Sequence, residues 1–402
     1  MTGRRTHSRI SRRSLDLSQR RSTIGPVAVK ILHTSDWHVG RRIRGRDRSE
    51  EHRAVLAELI EIAVSNQVDL TVVAGDLFDA SSPTALSEEI VWRALLDLAE
   101  VSPVVVVAGN HDGAARLDAV APLLEMGRVT VVGTPRSPES GGTVEFGEIG
   151  VKLALLPFVS QRGIVKAEHI MSSDPDQHAG LFEDRLRRIV EKLTRDMTAG
   201  TVNVFVSHLT VYGALAGGGE RQAHIFGYAI PSSLFPGHLS YVALGHLHRQ
   251  QKMPHSSAVW YSGSPLQLDF GEVADQKGVL LVEASPGLPA KVTAVPLSAG
   301  RRLRTIRGTL DEVLALADDV TDAYVKVELV EKARVGLADQ VRDAIPDVVE
   351  VVLEATDPVR RESEPRQKLK PTEAFHRYLT EKGVEDSRLE SLFAELLDEA
   401  AK

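Results

Sequence analysis

The sequence contains no cysteine among its 402 residues. The chain therefore cannot form disulfides, thiolate metal sites or a cysteine nucleophile, and any metal that it binds must be held by oxygen and nitrogen. The absence of cysteine also fits a reducing, cytoplasmic setting. No apolar run is long enough to cross a bilayer, so no membrane contact is predicted. The overall composition, with 43% hydrophobic and 26% charged residues, is that of an ordinary globular protein.

The chain also lacks an excess of basic residues, since its net charge is −7. Residues 1–28 nevertheless carry seven arginines and one aspartate, a net of +6, which leaves −13 for the remaining chain. A nucleic-acid enzyme can be acidic overall and basic only along its binding track. The segment is poor in apolar residues and lacks the apolar core of a signal peptide, which predicts a disordered basic extension. A DNA-binding arm, or a translation start at Val29, are the alternatives.

Five short apolar runs each lead directly into residues that can bind a metal ion. The runs have the length of buried strands. Because open α/β sheets bind ligands at the carboxyl ends of their strands, five such runs imply one shared site. The candidate ligands are Asp36, His38, Asp76, Asn110, His208, His246 and His248. Two cations that share a bridging carboxylate would use these seven groups, and ions roughly 3.5–4 Å apart can hold both the attacking and the leaving oxygen of a phosphoryl displacement.

The segments between these runs indicate the fold class. Residues 50–67 and 84–100 have helical spacing and alternate with the strands, which predicts a layered α/β domain. Short strands over 129–157, separated by glycine and proline turns, predict a second sheet packed on the first. The glycine-rich loop at 213–219 lacks a Walker lysine and is not expected to hold a nucleotide.

The last hundred residues predict a smaller unit and a pair of helices. Strand and helix patterns alternate over 301–356, and a charged linker follows at 357–370. Residues 371–402 predict two helices with apolar stripes, and their surface would dock either on a partner protein or on their own domain. The apolar positions of the two stripes are Phe375, Tyr378 and Leu379, followed by Leu389, Leu392, Phe393, Leu396 and Leu397.

The strand-end motifs resemble those of a known family. In order and spacing, Asp36-Trp37-His38, Gly75-Asp76-Leu77-Phe78-Asp79, Gly109-Asn110-His111-Asp112, Ser207-His208 and Gly245-His246-Leu247-His248 are similar to the five signature motifs of the calcineurin-like metallophosphoesterases. The stretch Tyr261 to Leu266 and the Phe270-Gly271-Glu272 triplet resemble the SbcD-like nuclease branch. The resemblance implies a two-sheet metallophosphoesterase sandwich flanked by helices over 29–300, a small α/β capping domain over 301–356, and partner-binding helices over 371–402.

The resemblance also implies roles for individual residues. One ion would take Asp36, His38, Asp76 and His248, and a second would take Asp76, Asn110, His208 and His246. The resemblance implies that both ions are Mn²⁺, which suits mixed oxygen and nitrogen ligands. His111 would act in catalysis by supporting the phosphate and the leaving group, and Asp112 would orient it.

Three functions are compared. The leading one is a manganese-dependent nuclease subunit, with ATP-dependent exonuclease activity on duplex DNA and endonuclease activity on single strands and hairpins. The resemblance implies an SbcC-type coiled-coil ATPase as partner, a nuclease homodimer within a heterotetramer, and a nucleoid-associated location. The alternatives are a phosphodiesterase for cyclic nucleotides and a non-catalytic scaffold that tethers DNA ends. A small substrate needs neither cap nor terminal helices, and a scaffold needs no intact ligand set.

Overall fold

A computed structural model describes residues 28–160, 163–164, 182–218, 229–354, 375, 379–380, 388–389 and 391–393. The predicted basic extension, except for its last residue, and the predicted linker at 357–370 lie outside the described residues. Within the described part of the chain, no helix combines the length and the apolar character needed to cross a membrane.

The first sheet carries the amino-terminal motifs. Its strands are β1 (Val29–Thr34), β2 (Leu70–Val73), β3 (Val104–Val107), β4 (Val129–Val132), β11 (Gly278–Ala284) and β12 (Lys291–Pro296). The order is β12-β11-β1-β2-β3-β4, in which β1 to β4 are parallel, β11 is antiparallel to β1, and β12 is antiparallel to β11. The central parallel strands are largely apolar because both of their faces are covered.

Three helices follow strands of this sheet: α1 (Ser49–Asn66), α2 (Ala85–Val101) and α3 (Ala114–Glu125). α2 begins where the Thr84 side chain accepts a hydrogen bond from the backbone N–H of Ser87, which satisfies one free donor of the first turn. Leu59 and Leu95, from α1 and α2, join Leu32 of β1 in the core on the outer face of the sheet.

The second sheet repeats this plan. Its strands are β5 (Thr143–Phe146), β6 (Val151–Leu156), β7 (Val202–His208), β8 (Tyr241–Gly245), β9 (Gln251–Met253) and β10 (Ala258–Tyr261). The order is β5-β6-β7-β8-β10-β9, with β6, β7, β8 and β10 parallel. Ile189 and Leu193 of α4 (Phe182–Thr194) pack on its outer face.

The inner faces of the two sheets pack together. Val72 and Val105 of the first sheet share one buried cluster with Leu153 and Val204 of the second. Helices lie outside each sheet, so the expected two-sheet sandwich flanked by helices is confirmed. The strands predicted over 129–157 were all assigned to the second sheet. For Val129–Val132 this prediction is wrong, because that strand pairs with β3 in the first sheet. The reason is α3, a helix that was not predicted from the sequence and that carries the chain back to that edge.

A third sheet forms the smaller unit. β13 (Arg302–Gly308), β14 (Ala323–Leu329) and β15 (Val348–Leu353) are parallel, and α5 (Leu310–Ala315) and α6 (Leu337–Ala344) cover them. The unit has its own apolar core. It meets the larger domain in a small cluster of Ile43, Phe270, Leu303 and Tyr324.

Only a few residues of the predicted terminal helices are described. The rings of Phe375 and Phe393 stack, with their centroids 4.1 Å apart, so the two predicted apolar stripes contact each other there. Leu379 is buried, whereas Leu389 and Leu392 are exposed. Tyr378, Leu396 and Leu397 lie outside the described residues.

Candidate metal centre

The seven predicted ligands converge on one edge of the sandwich. Asp36, His38, Asp76 and Asn110 follow strands of the first sheet, and the three remaining histidines come from the second. Three sets of ligand atoms each lie within 4.8 Å of one another: Asp36, His38 and His248; His38, Asp76 and His111; and Asp76, His208 and His246. Each sheet therefore supplies part of the cluster, and the first supplies all of its oxygen ligands.

Asp76 lies at the centre of the cluster. Its Oδ2 is 3.4 Å from Nε2 of His38 and 3.4 Å from Nε2 of His208. Its Oδ1 accepts a hydrogen bond from the backbone N–H of His111 at 2.8 Å. One carboxylate thus faces both halves of the ligand set, which is the position that a bridging ligand needs.

Asn110 joins the half of the cluster that contains His208 and His246. Its Oδ1 is 3.0 Å from Nε2 of His208 and 2.8 Å from Nδ1 of His246. Asp36, in the other half, accepts the backbone N–H of His246 with both oxygens, at 3.0 and 3.2 Å. The two halves are therefore connected through the backbone as well as through Asp76.

The backbone is left-handed at four of the predicted ligands. The φ angles are 54° at Asp36, 45° at His38, 54° at Asp76 and 98° at His246. Residues with side chains adopt this region rarely, and such conformations cluster at functional sites where the surrounding structure enforces them. Here each of these residues lies within about four positions of the end of a strand, and the turn brings the ligand toward its neighbours.

Glycine allows the motif loops to approach one another. A β-carbon on Gly109 would overlap Oδ1 and the backbone nitrogen of Asp76. A β-carbon on Gly75 would overlap Nδ1 of His208, and the φ of Gly75 is +91°. Close contact between the loops after β2 and β3 and the end of β7 therefore requires glycine at these two positions.

Hydrogen bonds to the ring nitrogens prepare the histidines for a cation. Nδ1 of His208 donates to the carbonyl of Ala74 at 2.8 Å, which leaves a lone pair on Nε2 in the neutral ring. That nitrogen faces two further acceptors, the oxygens of Asp76 and Asn110. Nε2 of His38 is buried and has no hydrogen-bond partner among the described residues. In the neutral rings, these nitrogen lone pairs lie beside carboxylate and amide oxygens, and such a donor set fits a divalent cation held by nitrogen and oxygen.

The electrostatics of the site also favour positive charge. Burial lowers the pKa of the His208 ring, but Asp76 and Asp36 outweigh it and raise that pKa to about 9. Burial raises the pKa of the Asp76 carboxyl, but His208 and His38 outweigh it and hold that pKa far below its usual value. The two aspartates therefore favour positive charge at this position, whether as a proton on His208 or as a cation.

His111 lies at the edge of the cluster. Its Nδ1 donates to the carbonyl of Asp79 at 2.9 Å, and its ring packs edge-on against His38 with centroids 4.7 Å apart. Asp112 was expected to orient His111, but its oxygens accept the backbone N–H groups of Phe78 and Gly109 at 3.1 and 2.8 Å. The Asp79 carbonyl holds the ring, and Asp112 ties together the loops after β2 and β3.

Sequence reasoning missed two acidic residues that contact the histidines. Oδ1 of Asp79 is 3.4 Å from Nδ1 of His38, and Oε1 of Glu272 accepts from Nδ1 of His248 at 2.9 Å. Such carboxylates fix the tautomer of a ligating histidine. Neither follows a strand directly. The only signal for Glu272 was its place in the Phe270-Gly271-Glu272 triplet.

Similar proteins identify the family. The model of the calcineurin-like phosphoesterase family matches residues 29–250, and that of the type 5 capsule protein repressor C-terminal domain matches residues 299–383. Three relatives are named as the D component of the nuclease SbcCD. The one from Bacillus subtilis is 33% identical over 78% of this chain and 80% of its own. The one from Rhodobacter capsulatus is 34% identical over 72% and 75%, and the one from Escherichia coli 29% over 92% and 94%. The chain belongs to the calcineurin-like phosphoesterases and, within them, to the SbcD family of SbcCD nuclease components.

Proposed function

We propose that the chain is the metal-dependent nuclease subunit of an SbcCD-type complex and that it hydrolyses phosphodiester bonds in DNA. The observation that carries this proposal is the ligand cluster centred on Asp76, whose Oδ2 is equally distant from His38 and His208. The related SbcD proteins support the same function, since they are named as parts of a nuclease.

The cluster offers ligands for two ions that would share Asp76. One would be held by Asp36, His38, Asp76 and His248, and the other by Asp76, Asn110, His208 and His246. Mixed carboxylate, amide and imidazole donors suit Mn²⁺. When bound, such a pair of ions polarises the phosphoryl group and supplies an activated water. The net positive charge that remains beside two aspartates attracts the phosphodiester anion.

His111 would act on the leaving group. Its ring is held by the Asp79 carbonyl, and one of its nitrogens lies within 4.8 Å of the ligand atoms of His38 and Asp76. Because Nδ1 donates to the carbonyl, Nε2 is the nitrogen available to a substrate. A protonated His111 can donate a hydrogen bond to the phosphate and a proton to the departing oxygen.

An arginine-rich loop over residues 39–48 and the smaller unit would guide DNA to this edge. The loop follows His38 directly, and within it Arg44 pairs with Glu350 of β15 at 2.8 Å. Arg42 remains largely exposed and can contact a phosphate. The smaller unit over 301–356 would act as a cap, and the terminal helices over 371–402 would bind the SbcC-type ATPase within a dimeric nuclease.

The test compares His111→Ala with a matched control, His255→Ala, which lies in the turn after β9. Mn²⁺-dependent cleavage of single-stranded DNA should fall by about 10²–10⁴-fold in His111→Ala, the usual contribution of a general acid. Metal content by mass spectrometry should stay at the wild-type value, because His111 is not assigned as a ligand. The control should keep both properties.

Two results would contradict the proposal. A wild-type protein that binds Mn²⁺ but cleaves only cyclic nucleotides would assign the centre to small substrates. Loss of a metal ion from His111→Ala would make that histidine a ligand. Digestion of duplex ends should additionally require the ATPase partner and ATP, which the same assay measures.

A further inference from the structure

Glu272 is a fully buried carboxylate beside the predicted metal centre. Its Oε1 accepts from Nδ1 of His248 at 2.9 Å. Its Oε2 accepts from Nζ of Lys277 at 2.7 Å and from the backbone N–H of Leu268 at 3.0 Å. Both oxygens therefore have donors, as a buried charge requires. Lys277 also donates to the backbone carbonyl of His248 at 2.9 Å, so the pair holds both the ring and the backbone of that histidine.

This arrangement determines which nitrogen of His248 can bind a cation. Since Lys277 and Leu268 already occupy one oxygen, the other oxygen is left for His248 and requires a hydrogen on Nδ1. The neutral ring then has its lone pair on Nε2. A carboxylate that accepts from a ligating histidine in this way orients the ring and increases its basicity.

The same network continues into the smaller unit through Gln267. The side-chain nitrogen of Gln267 donates to the carbonyls of Glu272 and Val273 at 3.0 and 3.1 Å. Its side-chain oxygen accepts the backbone N–H of Leu303, in β13, at 2.8 Å. Gln267 is itself buried, so these bonds are sheltered from water. One side chain therefore joins the loop that carries Glu272 to the first strand of the smaller unit.

We propose that Glu272 is the positioning residue for His248, and that Gln267 connects it to β13, so that cation binding at His248 and docking of the smaller unit stabilise each other. This inference rests on the proposed function, because it requires a cation at His248. The coupling is reciprocal by thermodynamic necessity: whatever strengthens one event strengthens the other by the same factor.

The first test replaces Glu272 by glutamine, which keeps its volume. Lys277 and the Leu268 N–H both donate, so the amide oxygen should turn toward them and the amide NH₂ toward His248. An NH₂ group favours the tautomer with hydrogen on Nε2 of His248, which removes the lone pair needed by the cation. Nitrogen NMR of the metal-free protein should therefore find Nδ1–H in the wild type and Nε2–H in Glu272→Gln.

Metal titration supplies the second readout. Binding of one Mn²⁺ should weaken by about 10–100-fold in Glu272→Gln, the usual effect of losing such a partner, while the other ion binds as before. The matched control is Glu58→Gln. Glu58 also accepts backbone N–H groups near the start of the smaller unit, from Ser298 and Ala299 at 2.9 and 2.7 Å, and it lies on α1, which supplies none of the predicted ligands. In Glu58→Gln, the tautomer of His248 and the Mn²⁺ titration should match those of the wild type.

Hydrogen exchange tests the coupling. Mn²⁺ should slow exchange of the Leu303 amide in the wild type and have a smaller effect in Glu272→Gln. Gln267→Met removes the acceptor of that amide, so it should speed its exchange and weaken Mn²⁺ binding several-fold. If the exchange rate of the Leu303 amide in the wild type did not change when Mn²⁺ is added, the coupling would be overturned.

The outcomes separate this inference from the proposed function. A wild-type protein that binds no Mn²⁺ and cleaves no DNA would refute the function. Suppose instead that the wild type binds Mn²⁺ and cleaves DNA. Then either a hydrogen on Nε2 of His248 in the wild type, or normal binding of both ions in Glu272→Gln, would refute the role of Glu272 alone.

Discussion

A buried histidine between the two sheets should make the protein sensitive to mild acid. His33 on β1 and Tyr241 on β8 are fully buried, with Nδ1 and Oη 2.7 Å apart. Burial lowers the pKa of His33 from 6.5 to about 3. As pH falls below neutrality, His33 therefore becomes protonated in the unfolded chain but stays neutral in the folded protein. The stability that the neutral, buried ring contributes is present above the unfolded pKa of 6.5 and is lost as pH falls toward 3.

The size of the effect follows from these two pKa values. Between about pH 7.5 and about pH 5, proton uptake by the unfolded state should lower the free energy of unfolding by about 2 kcal/mol for this one ring. The double variant His33→Leu/Tyr241→Phe removes the titrating group together with its partner, so no polar atom is left alone in the core. Its free energy of unfolding should fall by about 2 kcal/mol less than that of the wild type over the same pH range.

The assay is urea unfolding in a chelator, followed by tryptophan fluorescence at both pH values. Tyr241→Phe is the control, because it keeps the titrating ring and should keep the wild-type pH dependence. Equal pH dependence in the wild type and the double variant would refute the reasoning, since it would mean that His33 is protonated to the same extent in the folded and unfolded states.

The other predictions concern single features. Asp76→Asn should lose both metal ions together, because a neutral amide bridges two cations poorly; mass spectrometry that finds one ion at full occupancy would contradict this. Gly109→Ala should destabilise the protein by ~1–3 kcal/mol in thermal unfolding through overlap with Asp76. Deleting residues 1–28 should change the free energy of unfolding by less than about 0.5 kcal/mol, since the segment has little apolar surface. A chain truncated after residue 365 should keep manganese-dependent endonuclease activity but fail to co-purify with the ATPase; retained binding would move the interface elsewhere.

The ligand cluster was predictable because the pattern that indicates each ligand lies within a few neighbouring residues of the sequence. Each of the seven residues follows a short apolar run, and parallel strands must bring their carboxyl ends to one edge. Glu272 was not predictable in this way, because its contact with His248 depends on a loop after β10 folding back under the site. Asp112 was assigned to its neighbour His111, whereas the turn directs its carboxylate to the backbone of Phe78 and Gly109.

The sheet membership of Val129–Val132 illustrates the same limit. The run has the pattern of a strand, but its partner is decided by α3, which contains Pro122 and gave no helical signal. Lys291–Pro296 was missed because only the edge position of β12 allows so exposed a strand. Local pattern therefore predicted the buried strands and where ligands follow them, while exposed edge strands and strand pairing depended on contacts distant in sequence.

The position of β1 has a consequence for the order of events during synthesis. β1 lies between β2, which is made soon after it, and β11, which is made only after the whole second sheet. On the ribosome, one edge of β1 therefore stays unpaired through most of translation, and an open edge invites pairing with other chains. Asp36 and His38 lie just beyond the end of this strand. We expect the nascent chain to mature its metal centre late, once Gly278–Ala284 has emerged to close that edge.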